Sequence, residues 1–428
     1  MAVVATFASG CALLEVKEQR DLFQNLGRIR GTVETETPGK SPLVVVLLRE
    51  RGADAPATTP DDLPMIMADH FMLEGSGPFA FAVAPGRYRL AAFEDQNNNL
   101  TYDPGEPLLR GQPLFEIAVG QVKDGVELVI PRDDSLDQTF DIKALEARAP
   151  KDQQHFSLGR FTVWGDVVDV SDPKFGSATG QMGLWRFADF LFEIGPGVYF
   201  LEPYDPAKIP VLFVHGISGY PQEFTTLMNE LDRDRFQPWF YLYPSGIHLD
   251  AIAGHLMVVV EGLQVRHGFD EMAVVAHSMG GLVSRSFVLR YAESGNLPEI
   301  EVFVAISSPW GGSESAAAVD EAPEDYVVYS WLDMNPKSDF LTGLFYHAPD
   351  FEEPRTLPMD FHMIFGFKRD ESSFGPSGDT VLTVKSETRL EAVKAAKSIL
   401  PLDDTHTGIL RNRETVERLN AILGETFD

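Results

Sequence analysis

Two kinds of hydrophobic pattern divide the chain. Over residues 27–132 short alternating runs are separated by turn residues, with no clear helix. Phe79, Phe81 and Val83 alternate with alanines, Pro85-Gly86 supplies a turn, and Tyr88, Leu90 and Ala92 resume the alternation, a pattern that predicts a hairpin. Runs at 29–33, 43–48, 115–119 and 126–130 bring the count to six or more strands, and a small β-sandwich over 26–132 is the natural reading. Residues 133–165 hold few large apolar side chains and are expected to be a linker. Beyond Lys208 the apolar residues are continuous instead, at 211–214, 239–243, 272–276 and 302–306, as in parallel strands covered on both faces. Helical spacing lies between them at 222–231, 249–266 and 282–292, so residues 166–428 are predicted to form an open α/β sheet, mostly parallel and flanked by helices.

Length and charge agree with two folded units and narrow the partners. At 428 residues each unit is long enough to bury a core. The 35 basic against 64 acidic residues leave a net charge of -29, which repels polyanions and argues against nucleic acid binding. One cysteine, Cys11, excludes an internal disulfide and any four-cysteine metal site. No apolar run approaches the roughly 20 residues needed to span a bilayer.

Residues 1–25 run from an apolar stretch through Ala8-Ser9-Gly10-Cys11 into charged sequence. This resembles the end of a bacterial lipoprotein signal, with translation starting upstream of Met1, Cys11 as the lipidated residue and the rest as a tether. An unmodified thiol in a ragged N-terminus is the alternative. Ala12 after the cysteine favours outer-membrane sorting if the lipoprotein reading holds, which places the protein in a bacterial cell envelope.

The strand at 272–276 runs into Ala276-His277-Ser278-Met279-Gly280-Gly281 and then a helix. That is the order of a nucleophile elbow, in which a serine occupies a strained strand-to-helix turn and its flanking residues must be small. The Met279 N–H, at the helix start, is then an oxyanion donor. The strand at 210–214 leads into His215-Gly216-Ile217-Ser218-Gly219, whose Ile217 N–H is the second donor. His215 precedes Ser278, against the chain order serine, acid, histidine, and reads as a loop-shaping residue. Of the later histidines, His362 opens an apolar run and His347 lies in an aromatic segment. His406 sits in a polar loop just ahead of the final helical segment, where the base must be. Asp379, after a glycine and 27 residues ahead of His406, is the expected acid, with Asp370, Glu371, Asp403 and Asp404 as competitors.

With these residues in place, the segment 199–420 resembles the alpha/beta-hydrolase superfamily, in its lipase-like branch of bacterial lipases and GPI-inositol deacylases. The resemblance is carried by Phe213-Val214-His215-Gly216, Tyr243-Pro244-Ser245-Gly246, the Ser278 elbow, Ser307-Ser308-Pro309-Trp310-Gly311-Gly312-Ser313, Gly378-Asp379 and His406-Thr407-Gly408. It implies a Ser278, Asp379, His406 triad, an acyl-enzyme on Ser278 and no cofactor for catalysis. The expected reaction is hydrolysis of carboxylic esters, of lipid or small-molecule substrates. Acyl transfer or amide cleavage on the same triad stays open, as does a surface interaction protein carrying an inactive hydrolase scaffold.

Two further segments carry expectations. Residues 314–360 hold Tyr326, Trp331, Phe340, Leu341, Leu344, Phe345 and Tyr346, too many large apolar groups for a solvated loop; they form either a cap over the site or a second core layer. In the sandwich, Asp95, Asn97, Asn99, Thr101, Asp103 and Glu106 stand at positions 1, 3, 5, 7, 9 and 12 of a loop, the ligand spacing of an EF-hand. Leu100 replaces the glycine of its sharp turn. Either a structural calcium binds there, or the loop is an Asx-rich turn without an ion.

Overall fold

A computed structural model describes residues 10–37, 41–50, 65–148, 157–294, 299–317, 327–347, 353–368 and 378–428. They form two compact units, one of residues 20–162 with 261–266, the other of residues 163–260 and 267–428 together with the N-terminal segment up to Gln19.

The first unit is the expected sandwich. Strands β1 (Gly27–Thr35), β2 (Leu43–Glu50), β3 (Met65–Leu73), β4 (Gly77–Val83) and β5 (Gly86–Glu94) are followed by β6 (Thr101–Tyr102), β7 (Leu108–Leu109), β8 (Phe115–Ile117) and β9 (Val122–Ile130). One sheet has the order β4-β1-β9, the other β3-β2-β5-β7 with β8 also on β5. Ile29, Val33, Phe79, Phe81, Leu128 and Ile130 from the first meet Val45, Leu47, Tyr88 and Leu90 from the second in one buried core. The expected hairpin at Pro85-Gly86 does not form: β4 pairs with β1, and β5 with β2. Alternation shows which face of a strand is buried, and both strands feed the same core, but it carries no information on which neighbour each one pairs with. The expected linker is also structured. β10 (Phe140–Asp141) pairs with β6, α2 (Ile142–Arg148; the N-terminal helix below is α1) buries Ile142, and Ser157 Oγ donates to the buried Asp69 carboxylate. The boundary therefore falls at 162/163, three residues before the expected one.

The second unit opens with elements that periodicity did not reveal. α1 (Gly10–Gln24) occupies the segment expected to be a tether. Val16 is fully buried against Leu184 and Val328, and Gln19 Oε1 accepts the N–H groups of Ala188 and Asp189 at 2.8 and 3.1 Å. These cap the N-terminus of α4 (Phe187–Glu193), which follows α3 (Ser177–Trp185). Residues 1–9 lie outside the described residues, and no helix among the described residues is long and apolar enough to cross a membrane.

The sheet of this unit comprises β11 (Val163–Val167), β12 (Gly197–Phe200), β13 (Ile209–Val214), β14 (Phe236–Leu242), β15 (Glu271–His277), β16 (Glu299–Ile306), β17 (Asp360–Gly366) and β18 (Ser398–Leu402). Its order is β11-β12-β14-β13-β15-β16-β17-β18, and only the β12–β14 pair is antiparallel. Every strand from β13 to β18 in that row therefore ends on the same side, where ligands of open α/β sheets bind. Helices α5 (Thr225–Asn229), α6 (Leu249–His267), α7 (Met279–Ser294) and α13 (Arg413–Phe427) make the connections and close the chain. The insertion holds α8 (Glu314–Ala317), α9 (Tyr329–Asp333) and α10 (Asp339–Phe345). Leu341, Leu344 and Phe345 are buried, Phe345 against Trp310 and under the Arg285 guanidinium, so α10 is a core layer; Tyr326 lies outside the described residues.

Candidate active site

Four loops at the carboxyl ends of β13, β15, β17 and β18 build the site. At the end of β15, Ser278 has φ +55°, a left-handed conformation that costs a non-glycine residue on the order of 1 kcal/mol. Its N–H donates to Ile306 O at 2.9 Å, which ties the turn to the next strand. The flanking glycines are a steric requirement. A Cβ on Gly280 would stand 2.4 Å from His215 O, and one on Gly281 2.0 Å from Ser308 Oγ.

Three predicted residues meet. His406 Nε2 lies 2.9 Å from Ser278 Oγ, and His406 Nδ1 lies 2.5 Å from Asp379 Oδ2. All three side chains are buried, Asp379 completely. Asp379 follows Gly378, whose carbonyl accepts the Lys368 N–H just beyond β17, and its own carbonyl accepts the His406 N–H at 2.8 Å. Burial favours the neutral acid, but the His406 hydrogen bond and charge, with the Val381 and Leu382 N–H groups on Oδ1, hold Asp379 below the usual carboxylate range. A charged carboxylate on Nδ1 leaves Nε2 free to accept the serine proton.

The other predicted residues part ways. Among the competing acids, Asp404 accepts from Thr405 N–H and Asn412 Nδ2, Asp403 lies 3.8 Å from Lys368 Nζ, and Asp370 and Glu371 are outside the described residues. His362 pairs with Ser398 Oγ, and His347 is exposed. His215 is buried, stacked on Tyr243 with ring centroids 4.0 Å apart, and its carbonyl accepts the Tyr243 hydroxyl. Burial lowers its pKa to about 4, so it is a neutral strut of the loop.

That loop is pressed onto Ser278. A Cβ on Gly216 would fall 2.7 Å from Ser278 Cβ and 3.1 Å from Ser278 Oγ, so only glycine lets the backbone pass there. The next residue is Ile217, whose N–H has no hydrogen-bond partner among the described residues. The following Ser218, at φ +52°, donates its N–H to Ser245 Oγ at 3.0 Å. The Met279 N–H belongs to the first turn of α7, whose N–H groups have no acceptor within the helix. Ser307 after β16 (φ +45°) and Thr380 beside Asp379 (φ +86°) continue the series. Four of the six non-glycine residues with positive φ among the described residues thus lie at this edge of the sheet.

Three groups escaped the sequence reading. His277 Nε2 lies 2.8 Å from the His406 carbonyl, which can only accept, so the imidazole donates. Burial lowers its pKa to about 3, keeping it neutral. Glu223, half-buried after the oxyanion loop, is raised to about 6 by burial against the opposing charges of His406 and Arg411. Glu387 is fully buried beside Asp379. No spacing rule marks any of them: the His277 and Glu223 contacts cross between loops distant in sequence, and Glu387 follows Asp379 on a short helix that carries no motif.

The six calcium candidates bond to one another and to the loop's own N–H groups. Asp95 accepts the N–H groups of Asn99 and Leu100, Glu106 those of Gln96 and Asp103, and the Asn97 and Asn99 amides both donate to Asp103 Oδ2. The Thr101 N–H donates to Asn99 Oδ1. Among the described residues no three acidic, histidine or cysteine side chains are grouped to hold a metal. Asx-type hydrogen bonds brace the loop, and buried Leu100 adopts the φ of +58° that glycine would supply at the sharp bend.

Residues 248–325 match the model of a family described as alpha/beta hydrolase of unknown function. Among curated proteins no relative matches. Among solved structures, the product of lin2722 from Listeria innocua is 18% identical, with 52% of this chain and 95% of that one covered and a TM-score of 0.38. The mature lipase BlEst2 of Bacillus licheniformis is 17% identical, covering 53% and 97%, with a TM-score of 0.41. A carboxylesterase of the thaumarchaeon Nitrososphaera gargenis is 13% identical, covering 55% and 96%, with a TM-score of 0.36. Strand order, strained elbow and family match together make the C-terminal unit an alpha/beta hydrolase by fold.

Proposed function

We propose that the protein is a serine hydrolase of carboxylic esters, working through Ser278, His406 and Asp379. The observation that carries this is the continuous chain of contacts from Ser278 Oγ through His406 to Asp379, at 2.9 and 2.5 Å, ending beside a loop with an unengaged N–H. A scaffold kept only for binding would have no use for a strained serine so arranged.

The steps follow from the geometry. Ser278 Oγ attacks the ester carbonyl carbon as His406 Nε2 takes its proton, and Asp379 stabilises the imidazolium. The carbonyl oxygen becomes an oxyanion that accepts from the Ile217 and Met279 N–H groups. Collapse breaks the bond to the alcohol, which leaves with the proton from His406, and an acyl-enzyme remains. Water, deprotonated by His406, attacks the acyl carbon and releases the carboxylic acid and free Ser278. The sequence balances without a cofactor.

A panel of p-nitrophenyl esters of graded acyl length, assayed on the full chain, tests this. Turnover of at least one ester that is lost in Ser278→Ala supports the reading, and turnover that survives in Ser278→Ala removes it. We further propose lipidation of Cys11 in a bacterial envelope, on the small residues Ala8, Ser9 and Gly10 before it. Membrane recovery that Cys11→Ser abolishes supports that anchor, and equal recovery of the variant contradicts it.

A further inference from the structure

Glu387 ends α11 (Val384–Glu387), the short helix whose N-cap, Thr383, comes four residues after Asp379. Its side chain is wholly buried, and among the described residues neither carboxyl oxygen has a hydrogen-bond partner of good geometry. The groups about it are the Asp379 carboxylate, the Ser307 hydroxyl and the Gly366 N–H, none of them a cation. The Gly366 N–H already donates to Ser307 Oγ at 3.2 Å. The space is tight: a Cβ on Gly366 would stand 3.1 Å from Asp379 Cβ and 3.6 Å from Ser307 Oγ.

Two neighbouring buried carboxyl groups share a charge poorly, so one of them keeps its proton. Asp379 has the better claim to ionise, because His406 and two backbone N–H groups already serve its oxygens. Burial first, and then the Asp379 charge, push Glu387 up to about 10, which leaves it neutral at physiological pH. A neutral carboxyl carries one O–H donor, and the charged acceptor beside it is Asp379.

We propose that Glu387 is a positioning residue of the triad, donating its carboxyl O–H to the Asp379 carboxylate and holding it turned toward His406. The inference rests on the reading of Ser278, His406 and Asp379 as a working triad, since Glu387 acts only through it. With Val381 and Leu382 it spreads the Asp379 charge over a third donor, which moderates the pull of Asp379 on the His406 proton.

The test is the rate of Ser278 phosphonylation by a fluorophosphonate across roughly pH 5 to 9 in the full chain, for wild type, Glu387→Gln and Glu387→Met. Glutamine keeps a donor in place, so its acid limb should coincide with that of the wild type and its rate should lie within about threefold. Methionine fills the volume but donates nothing. Its rate should fall about tenfold and its acid limb move up by about one pH unit, because Asp379 with one donor fewer favours a protonated His406. A purely structural role would lower the melting temperature without moving the limb. An acid limb displaced to lower pH in Glu387→Gln would mean that a negative charge had been removed, and overturns the proposal. An unmoved limb in a folded Glu387→Met overturns it as well. If Glu387→Met does not fold, Glu387→Gln decides alone by the same criterion. Wild-type protein that is never phosphonylated on Ser278 sinks the triad reading, and the proposal with it, whereas labelled wild type with unresponsive variants sinks only the proposal.

Discussion

The Nε2–H of His277 donates to the main-chain carbonyl of His406 at 2.8 Å, so the residue beside Ser278 holds the backbone of His406. Their rings lie 4.8 Å apart, tilted by 46°. The turn of Ser278 and the loop of His406 are thereby fixed to one another directly, and not only through the Ser278–His406 contact, which the proposed mechanism opens and re-forms in each turnover. His277→Phe keeps the ring and loses the donor. With a net hydrogen bond worth about 1 kcal/mol, kcat on an ester that the wild type turns over should drop roughly fivefold to tenfold with KM little changed. Steady-state kinetics on the folded variant check this, and an unchanged kcat would show that the contact does not position the base.

Asp379→Asn tests the acid. An amide at this position would fix the wrong tautomer of His406, and kcat should fall by about four orders of magnitude. Asp404→Asn, whose carboxylate serves Thr405 and Asn412, should stay within about tenfold of wild type. The reverse ranking of the two variants would reassign the acid.

Gly216→Ala addresses the oxyanion loop. The added methyl meets Ser278 Cβ and Oγ, and the loop must retreat from the nucleophile with the Ile217 N–H on it. A displacement of about 1 Å is enough to cost roughly a hundredfold in kcat. Circular dichroism should show an intact fold, and activity close to wild type would mean that the loop does not hold the oxyanion.

Glu387 also predicts how stability responds to pH. Its carboxyl is raised to about 10 when folded, against an unfolded value near the ordinary one of about 4.3, so the folded state binds the proton more tightly. Its contribution is fully present below the unfolded value and is lost as pH rises toward the folded one. Glu387→Gln removes this dependence. The melting temperature of the variant relative to wild type should therefore climb between about pH 5 and pH 9, by several degrees in total. A pH-independent difference would show that Glu387 titrates normally.

The contrast between what the sequence disclosed and what it hid follows from the range of each interaction. Ser278, Asp379 and His406 were legible because the hydrolase fold imposes an order along the chain and each residue sits in a polar or glycine-marked turn after an apolar strand. Gly280 was legible for the same steric reason. The Pro85-Gly86 turn misled because alternation reports burial and not partners, and the two strands it joins pair elsewhere. Helix α1 reads as a tether in the sequence because one buried valine and a capping glutamine leave almost no periodic trace. The loop at 95–106 has an EF-hand's spacing, and the carboxylates of Asp95 and Glu106 also accept from the loop's own N–H groups, which spacing does not register. His277 becomes visible only when distant loops meet, and Glu387 only when its short helix folds back beside Asp379.

The central claim is that Ser278 is an activated nucleophile. The most direct measurement is intact and peptide mass spectrometry of the full chain after exposure to a fluorophosphonate at neutral pH, with Ser278→Ala and His406→Ala alongside. The account predicts one phosphonyl adduct per chain, located on the peptide containing Ser278, absent from Ser278→Ala and formed at least about a thousandfold more slowly in His406→Ala. An adduct that persists in Ser278→Ala, or wild-type protein left unmodified under conditions that label a reference serine esterase, would contradict it.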